Sequence, residues 1–189
     1  MSGFRRIDER TVHQGHVWHV VLAEFEAPDG RRFTRDIVRS PGAVGVVPLV
    51  FDAEGNPSVV LVSQYRPPFD DLVVEIPAGL RDIEGEDPIE VARRELVEEA
   101  GLSAGSIEVL TEILPSAGMT DSVTTVCLAT DCTPVPHDRH GPEEDHMTVV
   151  HVSLADAVDM VERGEIRDAK SVAGLLLTDR RLRAADGDE

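Results

Sequence analysis

The chain has 189 residues, of which 41% are hydrophobic, and a formal net charge of −18. That length and composition suit a folded globular domain with an ordinary core and exclude a disordered chain. An acidic surface repels nucleic acid and anionic membranes, so neither is expected as a partner, and no apolar run approaches the roughly 20 residues that span a bilayer.

The opening stretch "MSGFRRIDERTVHQG" lacks the apolar centre of a signal peptide, and a cytoplasmic protein is expected. Residues 11–38 alternate as strands do. "HVWHVVLAEFEA" and "RRFTRDIVRS" flank the turn "PDG", which predicts a hairpin turning at Asp29-Gly30. His13, His16 and His19 show no ligand spacing and read as structural or exposed. Trp18, the one tryptophan, reads as a core or interface residue before it reads as a stacking platform.

After the linker "SPGA", two further β-rich stretches follow, "VGVVPLVF" and "SVVLVSQYR", broken at Gly55-Asn56-Pro57. "RPPFDD" reads as a loop and "LVVEIPAGL" as a short strand. A helix is expected over about 88–100. Asp87 is its N-cap, Pro88 suits the first helical position, Glu90 stands where a capping box wants an acid, and Gly101 ends it. Strands are expected near 106–113, 122–130 and 147–152. Ser153 caps a second helix, a third covers 169–183, and "AADGDE" frays. Strands and helices alternate without a strict βαβ rhythm, which favours a mixed sheet packed between helices.

Cys127 and Cys132 are the only cysteines and read as reduced structural thiols. The eighteen basic residues include a single lysine, Lys170; the arginine bias by itself carries no functional signal.

At about 100° per residue, Ile89, Ala92, Leu96 and Ala100 fall on one stripe of the first helix and form its expected buried face. Glu95 and Glu99 lie one turn apart, and Glu98 widens the acidic arc beside that stripe. Carboxylates crowded in this way repel one another unless a hard divalent cation joins them. The Gly-, Pro- and acid-rich loop "EIPAGLRDIEGED" precedes the helix and offers backbone carbonyls to the same cation.

These residues resemble the signature of the Nudix hydrolases. Gly79 is followed by "LRDIEG", Glu86, "DPIEVAR", and then Arg94-Glu95-Leu96-Val97-Glu98-Glu99-Ala100-Gly101-Leu102. From Glu86 onward every constrained position matches. The loop between Gly79 and Glu86 holds six residues where the usual pattern has five, which loosens the role expected of Gly79. "GAVGVVPLV", "VSQYRPPFDDLVVEIPAGL" and "GEIRDAKSVAGLLL" look like the ADP-ribose pyrophosphatase branch, and the resemblance covers roughly residues 12–180.

The resemblance implies a Nudix fold, an α/β/α sandwich with a mixed β-sheet. A small β-strand section at 1–40, exchanged within a homodimer, would precede a hydrolase domain at 41–183 and a frayed tail at 184–189. It implies Mg²⁺-dependent hydrolysis of ADP-ribose or a related ADP-sugar, with Mn²⁺ able to substitute, giving AMP and a sugar phosphate. Glu95 and Glu99 would be metal ligands, the Ala78 carbonyl another candidate, and Glu98 a further ligand or outer group. Arg94 looks like the family's orienting residue, paired with a glutamate. The base would come from the late acidic loop "HGPEEDHMTVV", with Glu144 first and Glu143 second. Arg66 would clamp a phosphate, Glu75 bind nucleotide or support the metal loop, and Arg35 reach substrate from the partner subunit.

The substrate loop "LPSAGMTDSV" has Ala117 before Gly118 where proline is usual, and Ser122 after Asp121 where glutamate is usual. Another NDP-sugar or a dinucleotide is therefore the alternative substrate. A non-catalytic ligand sensor of the same fold would tend to lose the glutamates and add a DNA-binding region. This chain keeps Glu95, Glu98 and Glu99 and has no basic extension.

Overall fold

The computed structural model describes residues 3–52, 54–138 and 146–187. They form two compact units, Met1–Gly42 with Leu114–Val123, and Ala43–Ile113 with Thr124–Glu189.

The first unit is a three-stranded antiparallel meander of β1 (Arg5–Gln14), β2 (His19–Glu26) and β3 (Arg32–Arg39). β2 and β3 make the expected hairpin, with Gly30 at φ +82° in the turn. β1 begins six residues before strand alternation becomes visible in the sequence, because Arg5, Arg6, Asp8, Glu9 and Arg10 hide it. An edge strand tolerates such charges: Arg5 lies opposite Glu26 and pairs with it at 3.1 Å, and Arg6 pairs with Glu9 at 2.8 Å. Val21 and Ala23 are buried in the central strand. Phe25 and Phe33 stack at 5.5 Å, and Phe4 meets Phe33 edge-on at 6.2 Å. Trp18 is not a core residue; it is 52% exposed in the tight turn closed by Gly15 N–H on the Trp18 carbonyl.

The second unit is built on a mixed sheet. Its strands run β10 (Thr148–Ser153), β5 (Pro57–Arg66), β4 (Ala43–Phe51), β9 (Thr124–Pro134), β8 (Leu102–Ile113). β6 (Asp71–Glu75) pairs with β5, and β7 (Ala78–Leu80) with β4. β4 and β9 are parallel; the other pairs are antiparallel. The strand period of two sorts the apolar residues onto two faces. Val44, Val46, Val60 and Cys127 meet α1 (Pro88–Glu95) on one side. Val47, Leu49, Val59, Leu61 and Val126 meet α2 (Leu154–Glu162) and α3 (Ala169–Asp186) on the other. This unit is an α/β/α sandwich, as the resemblance implies. Burial holds the Cys127 and Cys132 thiols up at about 11, so both stay protonated at neutral pH.

α1 starts as its sequence dictates. Asp87 is extended and its carboxylate accepts the Ile89 N–H at 2.8 Å, with Pro88 at the first position. Asp87→Ala is expected to lower the unfolding free energy by about 1 kcal/mol in urea melts, the usual value of such a cap.

The end of the helix departs from expectation. Regular α-helix stops at Glu95, and Leu96–Ala100 is a π turn closed by Gly101 at φ +63°. π turns are rare and concentrate at functional sites. The buried face is also broader than the sequence stripe. Val91 joins Ala92, Leu96 and Ala100, Ile89 is only half-buried, and Glu95 and Glu99 are themselves buried.

The last helix runs to Asp186, past its expected end at 183, because Gly187 in the left-handed region supplies the cap. Ala184 and Ala185 are therefore helical rather than frayed.

Candidate active site

The second unit brings the end of β5, the strand β7 and the α1–π segment around one cleft of about 360 Å³. Gln64, Arg66, Ala78, Glu95, Glu98 and Glu99 line it. Each arrives for a local reason. Gln64 and Arg66 share one face of β5 by strand alternation. Pro77 breaks the path between β6 and β7, and its carbonyl accepts the Val46 N–H at 2.9 Å, which holds the Ala78 loop against β4. Glu95, Glu98 and Glu99 follow from helix spacing widened by the π turn.

Glu95 and Glu99 are 5% and 4% exposed, far more buried than an unpaired carboxylate tolerates. Glu99 Oε2 accepts the Ala78 N–H at 2.8 Å. Burial, and after it the neighbouring Glu95 charge, push the Glu99 carboxyl up to about 7, against the pull of Ala78 N–H, Arg66 and Lys170. Arg94 Nη1 donates to Glu95 at 2.7 Å and to Glu98 at 3.1 Å, and its other amine stands 3.9 Å from Glu86. Burial weakens the Arg94 charge, but Glu95, Glu98 and Glu86 outweigh it and raise its pKa.

Gly79 packs directly on this cluster: a Cβ there would sit 1.8 Å from Glu95 Oε1. The longer loop loosens the role expected of Gly79 from sequence; in the structure Gly79 is the seat of the Glu95 carboxylate.

Hard oxygens concentrated and buried in this way match a hard divalent cation in kind. Among the described residues no three acidic, His or Cys side chains converge on one point by themselves. A cation held by Glu95 and Glu99 would therefore complete its shell with the Ala78 carbonyl and water, as Mg²⁺ commonly does.

Arg66 and Glu75 form a two-pronged pair. Arg66 Nε donates to Glu75 Oε1 at 2.6 Å and Arg66 Nη2 to Oε2 at 2.8 Å. Burial raises the Glu75 carboxyl, but Arg66 and Lys170 together hold it below the ordinary carboxylate value.

Arg35 and Gly118 belong to the first unit. There they share a recess with Phe4, Phe33 and Asp121. The Arg35 guanidinium lies 4.8 Å over the Phe33 ring. Asp121 accepts from Arg39 at 2.9 Å and from the Ser40 N–H at 3.1 Å. Glu143 and Glu144 lie outside the described residues.

Gln64 and Asp82 also line the cleft, without standing out in the sequence. For Gln64 the signal was present, since it stands two residues before Arg66 on a strand.

A family model of the Nudix domain matches residues 39–175. An ADP-ribose pyrophosphatase of Bacillus subtilis is 35% identical over 167 residues, covering 88% of each chain. An ADP-ribose pyrophosphatase of Mycobacterium tuberculosis is 36% identical over 173 residues, covering 92% of this chain and 82% of that protein. The crystal structure of an ADP compounds hydrolase superposes with a TM-score of 0.82 at 24% identity over 98% of this chain and 97% of that one, which bears on the fold. With the glutamate cluster, the π turn and the sandwich already in place, these matches settle the family: the chain belongs to the Nudix family.

Proposed function

We propose that this Nudix pyrophosphohydrolase cleaves the diphosphate of ADP-ribose or a related ADP-sugar, with Mg²⁺ as its cation, releasing AMP and a sugar phosphate. The observation that carries the reading is the burial of Glu95 and Glu99 in the cleft that Arg66 also lines. Buried carboxylates beside a guanidinium make little sense in an empty surface groove. They suit a cation and a diphosphate, each neutralising what the other brings. The resemblance of two relatives named ADP-ribose pyrophosphatase supports the adenine sugar as substrate.

A bound divalent cation supplies charge neutralisation and lowers the pKa of its water. Glu95 and Glu99 would hold it, with the Ala78 carbonyl. Arg94 restrains Glu95 and Glu98, so the carboxylates meet the cation in a set orientation. Arg66, restrained in turn by Glu75, presents its remaining edge to a phosphate oxygen. The base is assigned to Glu144, with Glu143 second. Phe4, Val12, Val17 and Trp18 are exposed apolar side chains of the first unit, and they support a homodimer with exchanged N-terminal strands.

A panel of ADP-ribose, ADP-glucose, GDP-mannose, UDP-glucose and NADH, with and without Mg²⁺, tests the reading. AMP release from ADP-ribose that requires Mg²⁺ is expected. Activity indifferent to Mg²⁺ would end the metal assignment, and turnover of UDP-glucose alone would end the adenine one. A second reading, hydrolysis of another NDP-sugar, is favoured by Ala117 and Ser122, which depart from the ADP-ribose pattern.

A further inference from the structure

We propose that Lys170 is a positioning residue for ligand binding: by balancing the buried charge of Glu75, it leaves the Arg66 guanidinium free to attract a diphosphate. The inference rests on the cleft being a diphosphate site.

Lys170 is the only lysine of the chain, and its side chain is 11% exposed. Such burial is unusual for lysine without a partner. Its Nζ donates to Glu75 Oε2, the same oxygen that Arg66 Nη2 occupies, and to Asp168 Oδ2 at 2.9 Å. The stem has room because β4 carries Gly45 beneath it; a Cβ there would stand 3.2 Å from Lys170 Cδ and 3.0 Å from Ile76 Cδ1.

Asp168 is also the N-cap of α3, accepting from Ser171 N–H at 3.0 Å and from Ser171 Oγ at 2.6 Å. Ser171 Oγ accepts the Ile76 N–H at 2.8 Å, two residues before Ala78. The start of α3 is thereby fastened to the strand end that carries Glu75.

Arg66 and Lys170 bring two positive charges to this cluster, Glu75 and Asp168 two negative ones. The four balance. Without Lys170 the cluster carries one net negative charge, held against Arg66, which lines the same cleft as Glu95 and Glu99. Arg66 would then be neutralised by its own support and attract an anion less. A buried charge is worth far more than a solvated one, so the effect reaches the ligand. Lys170 touches no reacting atom in this scheme; it acts on Arg66 chiefly through Glu75, with which it is in direct contact, while its charge also reaches Glu99.

The test compares wild type, K170M, K170Q and the double variant D168N/K170M. The double variant restores charge balance and keeps an N-cap, since Asn caps as well as Asp. The readouts are calorimetric affinity for ADP with Mg²⁺, KM and kcat for ADP-ribose, and thermal melting. At an effective dielectric of about 20, an uncompensated charge at this range weakens anion binding by roughly tenfold. K170M and K170Q are therefore expected to bind ADP about tenfold more weakly and to raise KM by a similar factor, with kcat changed less than about threefold. D168N/K170M is expected to recover most of the lost affinity. A merely structural lysine would not be rescued by removing a second contact.

ADP affinity within about twofold of wild type in both single variants overturns the proposal. So does a double variant that fails to fold or binds ADP more weakly still. Failure of both single variants to fold overturns it too, because the lysine is then structural. Wild type that binds ADP but leaves ADP-ribose intact refutes the substrate reading instead, and the ADP affinities still decide the role of Lys170.

Discussion

Glu99→Gln is expected to lower kcat for ADP-ribose by about 10³-fold while leaving the fold intact and, without metal, more stable above neutral pH. The two halves of this expectation share one cause. Glu99 is buried, and its carboxyl is raised to about 7 in the folded chain, chiefly by that burial. In the unfolded chain it titrates at an ordinary value near 4.5. A group whose folded pKa lies above its unfolded one favours the fold while protonated. Its contribution is complete below about 4.5 and is lost as pH rises through about 7.

Glutamine keeps the carbonyl that accepts the Ala78 N–H but never ionises. In the absence of divalent metal the variant should therefore gain about 1–3 kcal/mol over wild type at pH 8 and little at pH 5. Mg²⁺ should reverse the order, stabilising wild type and not the variant, because a cation favours the ionised carboxylate. Melting curves at the two pH values, with and without Mg²⁺, measure this alongside AMP release. Near-normal turnover by Glu99→Gln would remove Glu99 from the ligand set.

Gly79→Ala is expected to cost about 10²-fold in kcat, an effect comparable to removing one preorganised electrostatic group. Gly79 is not at positive φ, so alanine meets no backbone strain. The added methyl instead occupies the space of the Glu95 carboxylate, 1.8 Å from Oε1 and 2.2 Å from Cδ. Glu95 must move, and it takes with it the 2.7 Å contact to Arg94. The Mg²⁺ concentration for half-maximal rate should rise as well.

A double-mutant cycle identifies the route. Combined with Glu95→Ala, which vacates the clash, Gly79→Ala should add almost nothing to the loss. Additive losses would mean that Gly79 acts some other way, and wild-type activity in the single variant would show that the cluster tolerates displacement.

Much of the fold follows from local chemistry. Asp87, Pro88 and Gly101 punctuate the glutamate helix wherever the rest of the chain lies, because caps act within one turn. Ser153 caps α2 for the same reason, and Asp29-Gly30 turns the hairpin. The alternation of "VGVVPLVF" already divides its valines between two faces of a sheet. The spacing of Glu95, Glu98 and Glu99 marks them as one acidic group, and their run with Arg94 identifies the family.

Other features depend on residues far apart in sequence. Strand β1 is masked by its charges, and partners on β2 and β3, Glu26 for Arg5 and Arg39 for Glu9, account for two of them. The burial of Glu95 and Glu99 appears only where Ala78 and Gly79 of β7 meet them. The weight of Gly79 appears once Glu95 packs on it. The positioning role of Lys170 is not legible from its place in a helix; it appears when Gly45, Glu75 and Asp168 enclose it.

Local sequence by itself determined where helices start, where turns fall and which acids cluster, because those outcomes rest on neighbours within a few residues. Tertiary structure alone decided which charges are buried and what balances them. Desolvation and pairing depend on the whole surroundings of a group, and chain position does not encode those surroundings.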